Sequence, residues 1–310
     1  MRSPESFEFG RTRLSPLTPR QTVAPELREH SDHACHSDQP PLVVVERTKT
    51  LSLDLRSLRD YRELLYFLVW RDLKVRYKQT AIGAAWAIIQ PLLTMLIFTV
   101  VFGMFVRIPS EGVPYALFAY VALVPWTYFA QALARTSGSL LADSDLLTKV
   151  YFPRLLIPLR AVMAPLVDLA LTFVVLLGLM VWFRVVPGSN VLALPVFVLM
   201  AVTTALGVGL WFSVLNIKYR DVSHAVPFVV QMWMYASPVV YPLSVIPERW
   251  QAVYSINPLV AVIEGFRWSL LGTPRPGFGL IARGAAVVML LLAGGLLYFK
   301  RMEKSLADVV

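Results

Sequence analysis

The chain has 310 residues, of which 56% are hydrophobic and only 16% are charged. Soluble domains are about a quarter charged, so this composition excludes an ordinary soluble fold. The formal net charge of +9 does not indicate nucleic-acid binding, because the basic residues flank long apolar runs, as they do on the cytoplasmic loops of membrane proteins. The single cysteine, Cys35, excludes an intrachain disulfide framework.

The first 50 residues differ in composition from the rest of the chain. They are polar, rich in Pro, Ser and charged residues, and contain no apolar run like the core of a signal peptide. We predict a disordered cytoplasmic extension over residues 1–50 and a membrane domain over residues 51–310. Four possible metal ligands lie close together in the extension: His30, His33, Cys35 and His36. No second ligand pair accompanies them, so we predict no metal site.

Residues 61–78 predict an amphipathic helix. Its apolar stripe, at helical spacing, consists of Tyr66, Val69, Trp70, Leu73 and Tyr77. Basic residues, among them Arg71, Lys74 and Lys78, gather on roughly the opposite side. A stripe with Trp and Tyr backed by basic residues is typical of a helix in a membrane interface. The basic residues could equally be the positive flank of an ordinary first span.

After residue 80 the chain contains six stretches long enough to cross a bilayer core, which needs roughly 20 apolar residues. They cover residues 82–106, 115–134, 157–183, 191–215, 225–242 and 279–299. Proline interrupts the second, third and fifth, which membranes tolerate where neighbouring groups satisfy the freed backbone. Lys and Arg are in excess on alternate loops, so we expect both termini in the cytoplasm. The predicted fold is an all-α integral membrane protein with six transmembrane helices.

The longest interior loop on the predicted cytoplasmic side covers residues 135–156. Ser137 or Ser139 could cap a short helix there. This helix carries the leucines Leu140, Leu141, Leu146 and Leu147. Leucines on such a loop need a partner protein or a lipid surface to bury them. The sequence Asp143-Ser144-Asp145 imitates the DxD of metal-dependent glycosyltransferases, but the chain has no room for their soluble nucleotide-sugar domain.

Residues 244–272 are too interrupted by proline to cross the membrane. Asn257 followed by Pro258 predicts the start of a helix, and Gly272 predicts its end. Glu264 and Arg267 have the i, i+3 spacing of an ion pair, and an unpaired charge near lipid is costly. We expect two short re-entrant helices that dip into the outer leaflet between the fifth and sixth spans.

Aromatic, amide and hydroxyl side chains share single faces of three predicted spans. They are Trp86, Gln90, Thr94 and Phe98 on the first span, Tyr120, Thr127 and Gln131 on the second, and Gln231 and Tyr235 on the fifth. Aromatic rings stack on the C–H faces of sugars, and amides bond to sugar hydroxyls, so these faces suit a channel for a sliding polymer. The same rings could instead serve helix packing or interfacial belts.

The sequence lacks the common signatures of an enzyme. It has no G-x-x-x-x-G-K-[ST] pattern for ATP phosphates, and no G-x-S-x-G, H-E-x-x-H or CxxC. Asp168 is the main ionisable residue deep in a predicted span, and a proton relay needs more than one. We therefore predict a transport subunit with no catalytic residue, cofactor or metal, which takes its energy from outside the chain.

Four separated segments resemble the signatures of permease subunits of ABC exporters for polysaccharides such as O-antigen and capsule. They are RDLKVRYKQTAIGAAWAIIQPLL at 71–93, SGSLLADSDLLTKVYFPR at 137–154, NIKYRDV at 216–222 and INPLVAVIEGFRWSLLG at 256–272. The resemblance covers roughly residues 55–305. It implies a homodimer in the bacterial inner membrane, in contact with its lipids, working with two copies of a separate ATPase that binds ATP and Mg²⁺. Its substrate would be a lipid-linked polysaccharide moving towards the periplasm.

The resemblance also implies roles for particular residues. The helix before the first span would be a gate helix that also contacts the ATPase, with Tyr66, Trp70, Arg71, Lys74, Arg76 and Lys78. The 135–156 loop would carry the coupling helix that docks on the ATPase, with Leu140, Leu141, Asp143, Leu146, Leu147, Lys149, Tyr151 and Arg154. The re-entrant segment would be marked by Asn257, Pro258, Glu264 and Arg267.

Other functions are compatible with parts of the sequence. Within transport, the alternative is a permease for teichoic-acid-like polymers or small amphiphiles. From other classes, the alternatives are a channel, which needs a defined selectivity filter, and an integral-membrane transferase, which needs an acidic catalytic cluster. The sequence shows neither feature.

Overall fold

A computed structural model describes residues 59–78, 83–149, 152–219 and 221–303. The predicted extension, with its possible metal ligands, lies outside these residues, and so does Tyr151. The side chains of Leu147 and Lys149 are also outside what the structure describes. All described residues belong to one compact unit, Leu51–Val310. Within the described ranges the secondary structure is entirely helical.

The helices are separated by connections of different lengths. In chain order they are α1 Arg62–Lys78, α2 Gly83–Phe98, α3 Tyr115–Ala142, α4 Ser144–Lys149, α5 Leu156–Met163, α6 Leu166–Trp182, α7 Leu194–Lys218, α8 Val222–Tyr235, α9 Glu248–Tyr254, α10 Pro258–Leu271 and α11 Phe278–Glu303. A π-helical turn, Thr99–Phe105, extends α2, and short 3₁₀ turns, Ser189–Ala193 and Leu243–Val245, precede α7 and α9.

Five helical stretches in the described chain are long and apolar enough to cross a membrane. They are Ala85–Phe105, Tyr115–Ala142, Leu156–Trp182, Ser189–Lys218 and Phe278–Glu303. These stretches correspond to the first, second, third, fourth and sixth predicted spans.

The fifth predicted span, residues 225–242, overlaps α8, which has only 14 residues. At roughly 1.5 Å per residue it is about 21 Å long, shorter than the roughly 30 Å of a bilayer core. The helix ends at Tyr235 because Pro238 has no N–H with which to continue it. Helix length therefore does not confirm six spans.

The second span, α3, lies at the centre of the unit. Over its most apolar 18 residues, 78% are buried inside the protein, whereas the corresponding share for the first span is 11%. It packs against α7, α5, α10, α6 and α2. In contrast, the first span keeps most of its apolar surface open, so that surface is available for lipid or for another protein chain.

The contact between α7 and α11 depends on glycine. A Cβ atom added at Gly295 would lie 2.7 Å from the carbonyl oxygen of Gly207. Backbones that approach this closely have no space for a side chain, as is usual where membrane helices pack through small residues.

The structure confirms the predicted limits of α10. The Asn257 side chain accepts a hydrogen bond from the Leu259 N–H, Pro258 is the first helical residue, and Gly272 ends the helix in the left-handed conformation with φ of 68°. Other helices of the chain also enclose this helix. Of its 14 residues, 12 are buried, because α3, α7 and α11 surround it.

Candidate functional site

Seven charged side chains meet where α1 packs against the ends of other helices. This arginine–aspartate cluster consists of Arg71, Asp72, Arg76, Arg135, Asp143, Arg160 and Asp168. Three of these residues come from α1, and the others come from α3, its C-cap, α5 and α6. The cluster therefore joins the helix before the first span to the segment that leads into α4.

Arg160 is at the centre of the first half of the cluster. Its side chain is only 7% exposed, and its Nη2 lies 2.5 Å from Oδ2 of Asp143. Its Nε lies 3.0 Å from Oδ2 of Asp72. Arg71 reaches the same two aspartates, at 3.3 Å from Asp143 and 3.5 Å from Asp72. Each of the two arginines thus contacts both aspartates, and these ion pairs connect α1, α5 and the C-cap of α3.

Asp168 is at the centre of the second half. It is buried on α6, where it forms an ion pair with Arg76 and accepts a hydrogen bond of 2.6 Å from the Tyr77 hydroxyl. Burial raises the pKa of Tyr77 to about 12, and the bond to Asp168 acts in the same direction. The ionisable residue expected deep in the third span is therefore paired with two side chains of α1.

A cavity of about 460 Å³ opens beside the cluster. It is lined by Arg71, Asp72, Val75, Arg76 and Arg135. Arg135 lies on α3 and is half-buried. Among the described residues it has no hydrogen-bond or ion-pair partner. Four arginines against three aspartates leave the cluster with one positive charge in excess.

The expected gate helix packs through a different face from its aromatic stripe. Leu68 is buried, and Leu64 and Leu65 pack on a second core that contains Leu140 and Phe152. Tyr66 and Trp70, in contrast, are 70% and 55% exposed. Tyr66 and Trp70 are therefore free for a membrane surface, whereas Tyr77 of the same stripe bonds to Asp168.

The basic residues of α1 do not form one outward face. Lys74 and Lys78 are exposed, as expected. Arg71 and Arg76 instead turn into the arginine–aspartate cluster, which corrects the prediction for Arg71. The physical reason is that buried aspartates on neighbouring helices need counter-charges.

The expected coupling residues divide into buried and exposed ones. Leu140 is completely buried, and Leu146 packs against the same second core, so neither is the exposed leucine that we expected. Leu141 is 36% exposed. Asp143 belongs to the cluster, and Arg154 donates a 2.6 Å hydrogen bond to the carbonyl oxygen of Glu303.

The expected channel residues of the first and fifth spans are mostly exposed. Trp86 and Tyr235 are 54% and 53% exposed, and Gln90 and Gln231 are exposed as well. Two members of the first set point elsewhere. The Thr94 hydroxyl donates to the carbonyl oxygen of Gln90, and Phe98 is buried edge-on against Phe102.

The expected channel residues of the second span do not line an open surface. Tyr120 has no accessible surface, and its hydroxyl lies 3.4 Å from the Thr172 carbonyl oxygen. The Thr127 hydroxyl donates to the Val124 carbonyl oxygen, and the Gln131 side chain accepts from Arg76. The central position of α3 explains this correction, since its neighbours cover it on most sides.

The residues of the expected re-entrant segment hold a buried turn. Glu264 and Arg267 pair at 2.9 Å, as their spacing indicates. Arg267 is completely buried, with its guanidinium 3.6 Å from the centre of the Phe118 ring. It also donates to the carbonyl oxygens of Val239 and Tyr241, so it supports the turn after α8.

Comparison with known proteins decides the family. Residues 63–271, more than half of the chain, match the family model of the ABC-2 type transporter membrane domain. The chain belongs to the ABC-2 type transporter family. The matched region runs from α1 to α10 and so includes the whole arginine–aspartate cluster.

Several relatives of this ABC-2 transporter are named for O-antigen export or polysialic acid transport. An O-antigen export system permease protein RfbA of Myxococcus xanthus is 30% identical over 253 residues, which are 81% of this chain and 96% of that protein. An RfbA of Klebsiella pneumoniae is 30% identical over 206 residues, 66% and 79% of the two chains. The polysialic acid transport protein KpsM of Escherichia coli is 26% identical over 245 residues, 78% and 94%.

Sequence reasoning did not identify two arginines of this ABC-2 transporter. Arg160 lies near the start of an apolar stretch that predicts a span, and an ionisable residue there is itself a signal of function or pairing. Arg135 is the first residue of the predicted 135–156 loop, where it counts only as one positive charge of the loop. Nothing local identified its neighbours, because Arg76 and Asp168 are distant in sequence.

Proposed function

We propose that this chain is the membrane-spanning subunit of an ABC transporter that exports a lipid-linked polysaccharide of the O-antigen or capsule type. The substrate would pass from the cytoplasmic side across the inner membrane. The observation that carries the proposal is the match to 96% of the length of the Myxococcus xanthus O-antigen permease. The match to 94% of KpsM extends the same substrate class to capsule-like polymers.

The proposed assembly is a homodimer with two copies of a separate ATPase, which binds ATP and Mg²⁺. The open apolar surface of the first span supports a second copy, because Leu93, Leu96 and Ile97 are exposed on it. Leu141, exposed next to α4, supports a docking point for the ATPase. The arginine–aspartate cluster would carry motion of α4 to α1, since Asp143 directly precedes α4.

The proposed topology has six spans with both termini in the cytoplasm. In it, α8 and the segment after it make the fifth crossing together, and α9 and α10 are re-entrant from the periplasmic side. The proline-rich turn after α8, which Arg267 supports, favours a crossing completed by irregular backbone buried in protein. Alternating Lys and Arg content supports the orientation.

The proposed conduit follows exposed side chains of the first and fifth spans. Trp86 and Tyr235 offer rings for stacking on sugars, and Gln90 and Gln231 offer amides for their hydroxyls. Such contacts are individually weak and do not demand one register, so a polymer can slide past them.

Deleting the gene in its own host tests the proposal. We expect surface polysaccharide to disappear and lipid-linked polymer to accumulate inside the cell, with both defects repaired by the intact gene. A strain with an inactive partner ATPase is the matched control and should show the same two defects. Normal surface polymer without internal accumulation would contradict the proposed function.

A further inference from the structure

The cavity beside the cluster has an excess of positive charge. Its three arginines are Arg71, Arg76 and Arg135, and its single carboxylate is Asp72. The Asp72 charge is already engaged, since Nε of Arg160 lies 3.0 Å away from it. Arg135, by contrast, has no ion-pair partner among the described residues. A half-buried cation without a partner favours an anion beside it.

The donors in the cavity suit an oxyanion with several oxygens. A guanidinium binds phosphate through two parallel N–H groups, and such charge-assisted bonds are about 2.7–2.9 Å long. The contacts of Arg71 to Asp143 and Asp72, at 3.3 and 3.5 Å, are longer than that. Arg71 is also 42% exposed. Arg71 and Arg135 can therefore turn towards an anion at little cost.

In the proposed topology, helix length places the cavity near the level of the lipid headgroups. Arg135 comes seven residues before Ala142, the end of a helix that is long enough to cross the membrane. At roughly 1.5 Å per residue this is about 10 Å from the helix end, close to the depth of the headgroup layer. Val75, which is 59% exposed, adds an apolar wall. The volume of about 460 Å³ is within the usual range for small-molecule sites.

We propose that Arg135 and Arg71 bind a phosphate or pyrophosphate group in this cavity. Its expected source is the headgroup of the lipid that carries the polymer, an inference that rests on the proposed function. Free pyrophosphate has the same chemistry, so the two sources are separated by comparing probes with and without a lipid chain. At headgroup depth a lipid reaches the cavity more directly than does a side chain of a soluble partner.

The test measures binding by calorimetry to the full-length chain purified with its ATPase in lipid nanodiscs. Farnesyl pyrophosphate is a probe with both the pyrophosphate and a lipid chain. Inorganic pyrophosphate has the anion alone, and farnesol has the lipid chain alone. We expect farnesyl pyrophosphate to bind and Arg135→Gln to weaken it roughly tenfold or more, the usual loss for a charge-assisted hydrogen bond. Arg71→Gln should weaken binding in the same direction.

Arg275→Gln is the matched control. It removes the same charge and group from an exposed arginine over the Trp268 ring, away from the cavity, and should leave binding unchanged. Unchanged ATPase co-purification shows that a variant is assembled. Inorganic and farnesyl pyrophosphate could bind equally well and both be weakened by Arg135→Gln. This result would support the anion site but assign it to free pyrophosphate and not to a lipid headgroup.

Two results would overturn the inference. One is equal affinity of wild type and Arg135→Gln for both pyrophosphates. The other is that Arg135→Gln loses ATPase co-purification but still binds the probes. Arg135 would then contact an acidic side chain of the ATPase and not a phosphate group. Neither result depends on export in cells, so the site can fail while the proposed function stands. Normal surface polymer in the deletion strain would refute the function separately.

Discussion

Replacing Arg160 by Met removes the central cation of the cluster while keeping a long apolar side chain. It leaves Asp143 and Asp72, which are only 11% and 22% exposed, with less counter-charge. Breaking a buried ion pair from one side costs about 3–5 kcal/mol. We expect about 3 kcal/mol, at the low end, because Arg71 still lies 3.3 Å from Asp143.

The loss should appear as easier local opening of α1, which the cluster fastens to α5 and to the end of α3. At about 1.4 kcal/mol per tenfold change, 3 kcal/mol corresponds to roughly a hundredfold loss of amide protection. Hydrogen exchange of the protein in nanodiscs, followed by mass spectrometry, measures it peptide by peptide. Peptides from α11 should keep their protection, because that helix contributes no residue to the cluster.

Arg154→Met is the matched control, since Arg154 bonds a backbone carbonyl and no aspartate in the described chain. Combining Arg160→Met with Asp143→Asn should cost less than the sum of the two single changes, because they share one interaction. Less than a threefold change in α1 for Arg160→Met would refute the reasoning. So would an equal change for Arg154→Met.

Three further predictions concern the conduit, the coupling point and pH. Trp86→Ala and Tyr235→Ala should each slow polymer export severalfold at normal protein levels, whereas Trp182→Ala, which removes an 81% exposed ring at another span end, should not. Export at the wild-type rate would assign the first two rings to packing. Leu141→Asp should reduce co-purification of the ATPase while insertion stays normal, and full co-purification would contradict the docking role. Tyr77→Phe should lower thermal stability below pH 10, since a buried aspartate loses its donor. The pKa of Tyr77 in the folded protein, about 12, exceeds its ordinary value near 10. Between these pH values the native state therefore keeps a proton that the unfolded state releases, so stability falls as pH rises. Tyr77→Phe should flatten that fall in thermal unfolding curves, and an unchanged slope would contradict the prediction.

The sequence by itself determined those features that depend on residues close together along the chain. Hydropathy over about 20 residues located five spans that the structure contains. Asn257, Pro258 and Gly272 marked both ends of α10 because capping is decided within one helical turn. The four signature segments indicated the family for the same reason, since each is a continuous run.

Only the tertiary structure decided which side chains meet. Arg71 and Asp143 are 72 residues apart in sequence, and Tyr77 and Asp168 are 91 apart. Their contacts depend on how α1 packs against the other helices, which no local pattern describes. The same reason explains Leu140 and Tyr120, whose residue types suited an exposed face as well as a buried one. Burial is a property of the neighbours that cover a residue, and those neighbours come from distant parts of the chain.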